Sequence, residues 1–366
     1  MIDNQQQLQQ LISRAIASGV VAVDTEFVWE KTYYPVLGLI QVGLSEDDLH
    51  LVDTVAIKDL SPIKELLESK ETVKIFHDAQ GDLAILCRET GASPQNIYDT
   101  RLAAGFTGLA ATISLRNLLL EVVQVELSKS ATRTDWTKRP LSQQQTEYAL
   151  EDIKYLHQVY QYQLDKAKQN NNLDWMLEEM QTFNGNTFAN NKPSDELFKK
   201  VKGVNSLSAR EIAIVRELAA LRDEIARDID YPKGWVISDQ DMNKLARGVK
   251  GDSTNLNISR GHWGKNLDKY GETISKAIDK ALALPEDLCP QPRLMTPEDK
   301  KISRQAGKVM DRIRQSCTKH NLDSIVVASK SEVAAIIKGK RKLEKLTSGW
   351  RGELLGSSLD SFFVSQ

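Results

Sequence analysis

Apolar positions follow two different periods along this chain, and the change of period divides it. Residues 4–17 carry apolar side chains at helical spacing and stop at Gly19, which predicts a first helix. Three β-branched runs follow, Val20–Phe27, Leu37–Leu44 and Leu49–Asp53, and read as strands. The short connections between them predict antiparallel neighbours. Ser61-Pro62 marks the start of a helix, with proline in its first turn. "TVKIF" (72–76) predicts a fourth strand, 79–90 a helix ending before Gly91, and Asn96–Tyr98 a short fifth strand. Helical patterns then cover 99–106 and 113–122. The clearest helix is "LSQQQTEYALEDIKYLHQVYQYQLDKAK" (141–168). Ser142 can cap it, Gln145 three residues on can close a capping box, and Leu141 stands where a hydrophobic staple belongs. Strands alternating with helices predict a mixed sheet with helices on its faces.

Past the polar stretch 184–195, nearly every pattern is helical. Ser208 can cap the helix in "LSAREIAIVRELAALRDEIARDID", and Thr296-Pro297 opens another helix running to about His320. A proline-rich break at 284–297 splits this region. Three domains are expected: an α/β domain over 1–195 and two small all-helical ones over 205–288 and 293–366.

Composition narrows the classes of function. Of 366 residues, 41% are hydrophobic and 27% charged, as in an ordinary soluble protein. No run of eighteen apolar residues occurs, so no membrane partner is expected. The N-terminus lacks the basic and apolar regions of a secretory signal. Cys87, Cys289 and Cys317 lie far apart, which fits a reducing cytosol and a cytoplasmic location. No histidine pair has zinc spacing, and no glycine-rich run matches a phosphate or dinucleotide loop. Nothing calls for an obligate interface, so a monomer is expected. The net charge of −2 hides an asymmetry. Residues 1–195 hold 17 Lys and Arg against 27 Asp and Glu; residues 293–366 hold 15 against 8. Acidic metal ligands at one end and phosphate contacts at the other would produce that split, as would plain solvated charge.

The strand Val20–Phe27 contains two carboxylates, Asp24 and Glu26, two residues apart and therefore on one face. Burying such a pair without compensation is unfavourable. A divalent cation with hard oxygen ligands is the simplest compensation; the alternative is that both mark an exposed strand end. Tyr148 and Asp152, four apart on the clearest helix, share a face. Asp82 falls in the first turn of a helix that follows a strand, near the C-terminal ends of strands where α/β sheets place ligands.

In order and spacing, "VDTEF", "HDAQGDL" and "YALEDIKYL" resemble the three motifs of the exonuclease superfamily named for its four acidic residues, Asp-Glu-Asp-Asp. The tyrosine four before the last aspartate marks its tyrosine subclass. "TEFVWEKTYYPVLGLIQVG", "LSKSATRTDWTKRPLSQQQTEYALEDIKYL" and the helical tail resemble the bacterial ribonuclease D family over nearly the whole chain. The resemblance implies an RNase H-like α/β exonuclease domain followed by two helical domains of HRDC type. It implies a 3′→5′ exoribonuclease with two divalent ions, Mg²⁺ or Mn²⁺, about 4 Å apart. Asp24 would bridge the ions, Glu26 and Asp152 would complete the one holding the attacking water, Asp82 would hold the second directly or through water, and Tyr148 would position the attacking water or help deprotonate it. The expected partners are tRNA precursors and other RNAs with single-stranded 3′ tails, and the product a nucleoside 5′-monophosphate.

Five further residues are substrate-binding candidates. Phe27 and Gln41 resemble family positions near the terminal nucleotide, with core packing as the alternative. His77 adjoins the second motif, where a structural histidine would also fit. Arg133 and Trp136 sit in "TRTDWTKRP", a mix that can grip phosphate and stack on a base, or form a salt-bridged loop. "KGKRK" (338–342) is the densest basic run, able to meet RNA backbone or merely be solvated. Two other functions remain open at this point: an RNA-binding adaptor on a degenerate nuclease fold, and a DNA 3′→5′ exonuclease.

Overall fold

A computed structural model of the chain describes all residues except 128–133, 186–187, 189–193, 250–264, 294 and 364–366. Its contacts divide the chain into two compact units. The first combines Met1–Val28, Leu37–Asn190 and Thr296–Gln366; the second combines Trp29–Val36 and Asn191–Met295.

The first unit is built on a five-stranded sheet. Its strands are β1 (Val20–Val28), β2 (Val36–Gly43), β3 (Leu49–Asp53), β4 (Val73–Phe76) and β5 (Ile97–Asp99), in the order β3-β2-β1-β4-β5. β2 pairs antiparallel with β3, while β4 runs parallel to both β1 and β5, so the sheet is mixed. One face is covered by α1 (Gln5–Ser18), α2 (Ser61–Glu68) and α3 (Gln80–Thr90). Leu8, Leu11, Ile63, Leu83 and Leu86 of these helices pack on Val21, Val23, Ile40, Val42 and Phe76. Between β5 and the long helical stretch lie α4 (Thr100–Ala104) and α5 (Leu115–Val123). The other face carries α6 (Gln143–Lys154), α7 (Leu156–Gln169) and α8 (Leu173–Met180). Ile153, Leu156, Ala167 and Met176 share a core with Ala22, Ile75 and Tyr98.

The single helix expected over 141–168 is two helices. They meet at Tyr155, whose backbone (φ −100°, ψ 2°) leaves the helical region. Neither proline nor glycine marks the break, and the apolar period runs through it.

Unit two holds α9 (Ala209–Asp228), α10 (Lys233–Val236), α11 (Asp239–Gly248) and α12 (Lys265–Leu282) around a core that includes Ile212, Val215, Leu218, Met242 and Ile278. Ser208 caps α9 in a reciprocal box with Glu211. The remaining α-helices belong to unit one: α13 (Pro297–Lys319), α14 (Ser324–Val327), α15 (Lys330–Ile337), α16 (Glu344–Thr347), α17 (Gly349–Leu355) and α18 (Asp360–Phe363). Read from sequence as a module by itself, 293–366 instead shares the core behind α7 and α8 from Ala306, Val309, Ile313 and Trp350. Trp350 is 1% exposed and donates its indole N–H to Glu179, which also takes a forked pair from Arg351 at 2.6 and 2.9 Å.

Candidate active site

β1 pairs with β4 only through Val20–Ala22, so its second half extends past the end of β4. Period-two alternation turns Asp24 and Glu26 to the face covered by α6. That helix begins at a capping box in which Ser142 accepts from Gln145 N–H at 3.2 Å and donates its own N–H to the Gln145 side chain at 3.0 Å. Ala149 and Ile153 anchor it to the sheet, and Gly43 lets it approach closely: a Cβ there would lie 3.3 Å from the Ile153 Cδ1. The next residue round the helix from this apolar seam is Asp152. One ligand oxygen from each of Asp24, Glu26 and Asp152 lies within 4.8 Å of the other two. Tyr148, one turn earlier, hydrogen-bonds Asp152.

Asp82 arrives from the opposite helical layer. β4 ends at Phe76, and the chain turns through Asp78, whose φ of 65° is left-handed. Asp99, at the end of β5, secures that turn by accepting from Asp78 N–H at 3.1 Å and Ala79 N–H at 3.0 Å. α3 then starts with Asp82 in its first turn, where the helix dipole favours a carboxylate. Thr25 donates its hydroxyl to Asp82.

The four carboxylates disturb one another. Burial, then the like charges of Asp82, Asp152 and Glu26, push Asp24 well above the ordinary carboxylate range. Burial and the charges of Asp152 and Asp82 raise Glu26 to about 8. Burial also raises Asp82 to about 7 against the pull of Thr25, and Asp152 to about 6 against the pull of Tyr148. The Tyr148 phenol is itself raised, first by burial and then by Asp152 and Glu26. Among the described residues no lysine or arginine pairs with any of the four. A set of hard oxygen donors, partly buried and short of positive charge, fits a divalent cation.

The remaining candidates separate. Phe27 is half-buried and packs toward the α1–α3 side. His77 is held at 2.9 Å from the Thr100 hydroxyl and pushed down to about 4, chiefly by burial, so it is a neutral structural histidine at neutral pH. Trp136 is 1% exposed, packed with Leu39, Leu51 and Ala149, and its centroid lies 6.1 Å from that of Tyr148. A ring so enclosed is not the open stacking platform expected of it. Gln41 is fully buried, with neither amide atom hydrogen-bonded in the structure, and presents no face to a nucleotide either. Arg133 lies outside the described residues. The neighbouring Arg139 does not reach for phosphate: its guanidinium forks onto Asp53 with two 2.7 Å bonds and donates to the Gly38 carbonyl. Gly38 is needed there, since a Cβ would come 2.4 Å from the Trp136 carbonyl oxygen.

Two residues that position the site went unnoticed in the sequence. Thr25 faces away from Asp24 and Glu26 by strand parity, yet it holds Asp82. Asp99 stands 17 residues beyond Asp82 and clamps the turn before it; the Asp-Thr pair opening a helix at 99–100 is the only local signal.

Comparison with known proteins agrees with this fold. Residues 1–167 match the 3′-5′ exonuclease family model, and residues 211–278 match the HRDC domain. Ribonuclease D of Desulfotalea psychrophila is 37% identical over 362 residues, covering 97% of this chain and 96% of that protein. Ribonuclease D of Escherichia coli K12 is 30% identical over 365 residues, covering 98% and 96%. The crystal structure of E. coli RNase D, described as an exoribonuclease involved in structured RNA processing, superposes with a TM-score of 0.84 at 29% identity over 100% of this chain and 98% of that one. With sequence and fold in agreement over essentially its full length, the chain belongs to the ribonuclease D family of 3′-5′ exoribonucleases.

Proposed function

We propose that this enzyme trims the 3′ ends of tRNA precursors and other structured RNAs carrying short single-stranded tails, releasing nucleoside 5′-monophosphates. The observation that carries the reading is the meeting of Asp24, Glu26 and Asp152 within 4.8 Å, with no cationic partner among the described residues, beside Asp82 and Tyr148. Asp24, Glu26, Asp82 and Asp152 would hold two divalent ions, Mg²⁺ or Mn²⁺, and their bound charge would acidify a water and offset charge on the phosphoryl oxygens and the leaving 3′-oxygen. The protein's own contributions are distinct from that chemistry. Asp82, Glu26 and Asp152 must be deprotonated for the site to load, so their raised affinities for protons make loading pH-dependent. Tyr148, whose phenol stays protonated across the working range, gives its single O–H to Asp152 and orients the attacking water through its oxygen, which accepts from that water. Thr25 and Asp99 keep Asp82 in place.

The test is digestion of an RNA hairpin with a 3′ tail in the presence of Mg²⁺ or Mn²⁺, alongside a DNA strand of equal sequence. Mononucleotides should appear from the RNA tail and disappear with chelator, while Asp24→Asn protein binds the same RNA without cutting it. Equal or faster digestion of the DNA, or cleavage that persists in chelator, would overturn the reading.

A further inference from the structure

The densest basic run of the chain, 338–342, is partly neutralised in the fold. Lys338 pairs with Asp299, and Arg341 bonds Glu332 at 3.0 Å, which Lys345 also reaches. A better candidate lies on α13. Its buried side is formed by Ala306, Val309, Met310, Ile313 and Cys317. Its exposed side carries Lys300, Lys301, Arg304, Lys308, Arg312 and Lys319.

Lys300, Arg304, Lys308 and Arg312 are spaced four apart, so they form one row that winds slowly along the exposed face, about 18 Å long at about 1.5 Å per residue. Among the described residues, none of the six forms an ion pair with a carboxylate. Arg304 reaches only the Lys300 carbonyl, and Arg312 only the neutral Gln315. Two acids of this helix are exposed: Asp311, taken by Arg314 at 2.6 Å, and Glu298 in the first turn, at the end of the row. Three successive like-charge pairs at this spacing oppose helix formation. A folded helix that keeps such a row unneutralised has its complement elsewhere, and a line of positive charge complements a line of phosphates.

We infer that the exposed row of α13 is a binding surface for the sugar-phosphate backbone of the RNA body, separate from the site that takes the 3′ end. The assignment rests on the RNA-processing reading above and adds where the substrate is gripped. Lysine and arginine heads without a rigid fork to base edges give affinity without sequence choice. The surface therefore favours large structured RNAs over short strands whatever their sequence.

The test is a variant carrying Lys300→Gln, Arg304→Gln, Lys308→Gln and Arg312→Gln. Binding of a tailed RNA hairpin, in chelator so that nothing is cut, is followed by fluorescence anisotropy across a salt series. Removing four phosphate contacts should lower affinity at least about tenfold at low salt and flatten the slope of log affinity against log salt by about 3 to 4. Hydrolysis of a trinucleotide should stay within about twofold of wild type, because a strand that short does not leave the active site. A Lys340→Gln, Lys342→Gln control should change the slope by less than half as much. An unchanged slope in the quadruple variant overturns the proposal, as does an equal effect from the control. So does retained RNA binding with lost adhesion to phosphatidylserine vesicles, which would make the row a lipid surface. Wild-type protein unable to hydrolyse the trinucleotide would instead sink the nuclease reading, so the two failures are separable. The Arg304→Gln, Lys308→Gln double variant gives the same reading at half the change should the quadruple variant melt early.

Discussion

Two places in this molecule set a tyrosine against a buried aspartate, and they end with opposite electrostatics. In the second unit, Tyr33 donates its hydroxyl to Asp223 at 3.0 Å. Arg227 closes on the other oxygen at 2.9 Å, Lys233 also pairs with Asp223, and both cations stand over the Tyr33 ring. Burial alone would raise Asp223, but the hydrogen bonds of Lys233 and Tyr33 and the two positive charges hold it below the ordinary carboxylate range. In the first unit, Tyr148 likewise pulls on Asp152, yet burial lifts Asp152 to about 6, and its neighbours are three more carboxylates. Asp53 repeats the first pattern inside the first unit, held down by the fork of Arg139 against its own burial. The difference lies in the cations. Where the fold supplies them, a buried carboxylate is complete; where it withholds them, four carboxylates are left requiring positive charge from outside.

The sharpest way to break that contrast is to neutralise one member on each side. Asp152→Asn should reduce mononucleotide release by at least about 10³-fold. Its metal-free melting temperature should hold or rise, since a repelled charge has been removed. Chromatography of products and thermal melting check both halves, and an active Asp152→Asn enzyme would end the assignment. Tyr148→Phe should cost roughly tenfold to hundredfold in kcat with little change in KM; full activity would reduce the hydroxyl to a packing group. Asp223→Asn should do the reverse of Asp152→Asn. It should destabilise the protein by about 1–3 kcal/mol by stranding Arg227 and Lys233, while trinucleotide hydrolysis is retained. A melt unchanged by that substitution would mean the knot around Tyr33 contributes little.

The smallest effect is also the most specific. Burial raises Asp152, Asp82 and Glu26 to about 6, 7 and 8 in the fold, above the unfolded carboxylate range of about 4. A carboxyl that binds protons more tightly when folded stabilises the fold at low pH, and that contribution is lost as pH rises through the folded value. The metal-free protein should therefore melt a few degrees lower at pH 8.5 than at pH 5. Mn²⁺ should remove most of the decline, and Asp152→Asn should make it shallower. A metal-free melting temperature that climbs over this range would contradict the charge assignment.

Much of the site was legible before any fold was known, because its residues obey local rules. Strand parity alone put Asp24 and Glu26 on one face, and helical spacing put Tyr148 one turn from Asp152. The Ser142–Gln145 box and the Ser208 cap were read from types and spacing, and both form. Thr25 was invisible for the same reason that Asp24 was visible: parity turns it the other way, and only the arrival of α3 makes it a partner of Asp82. Trp136 and Arg139 looked like surface grips because aromatic and basic types in a polar loop read alike whether the loop lies open or pressed onto β2. The break at Tyr155 left no mark in composition or period.

A likeness to a known family, rather than any period, singled out the four carboxylates and the tyrosine proposed for metal chemistry; by itself, the order of residues determined which side chains share a face and where helices begin. These depend on backbone periods of two and 3.6 residues and on hydrogen bonds within a few positions. Tertiary structure alone decided that Asp82 is tied to Thr25, that Trp136 and Gln41 are closed off, that Arg139 is spent on Asp53, and that α13 buries one side behind α7 and α8 while keeping its basic row outside. Those outcomes depend on which surfaces meet across tens to hundreds of residues, and an apolar stripe says only that it will be covered, not by what.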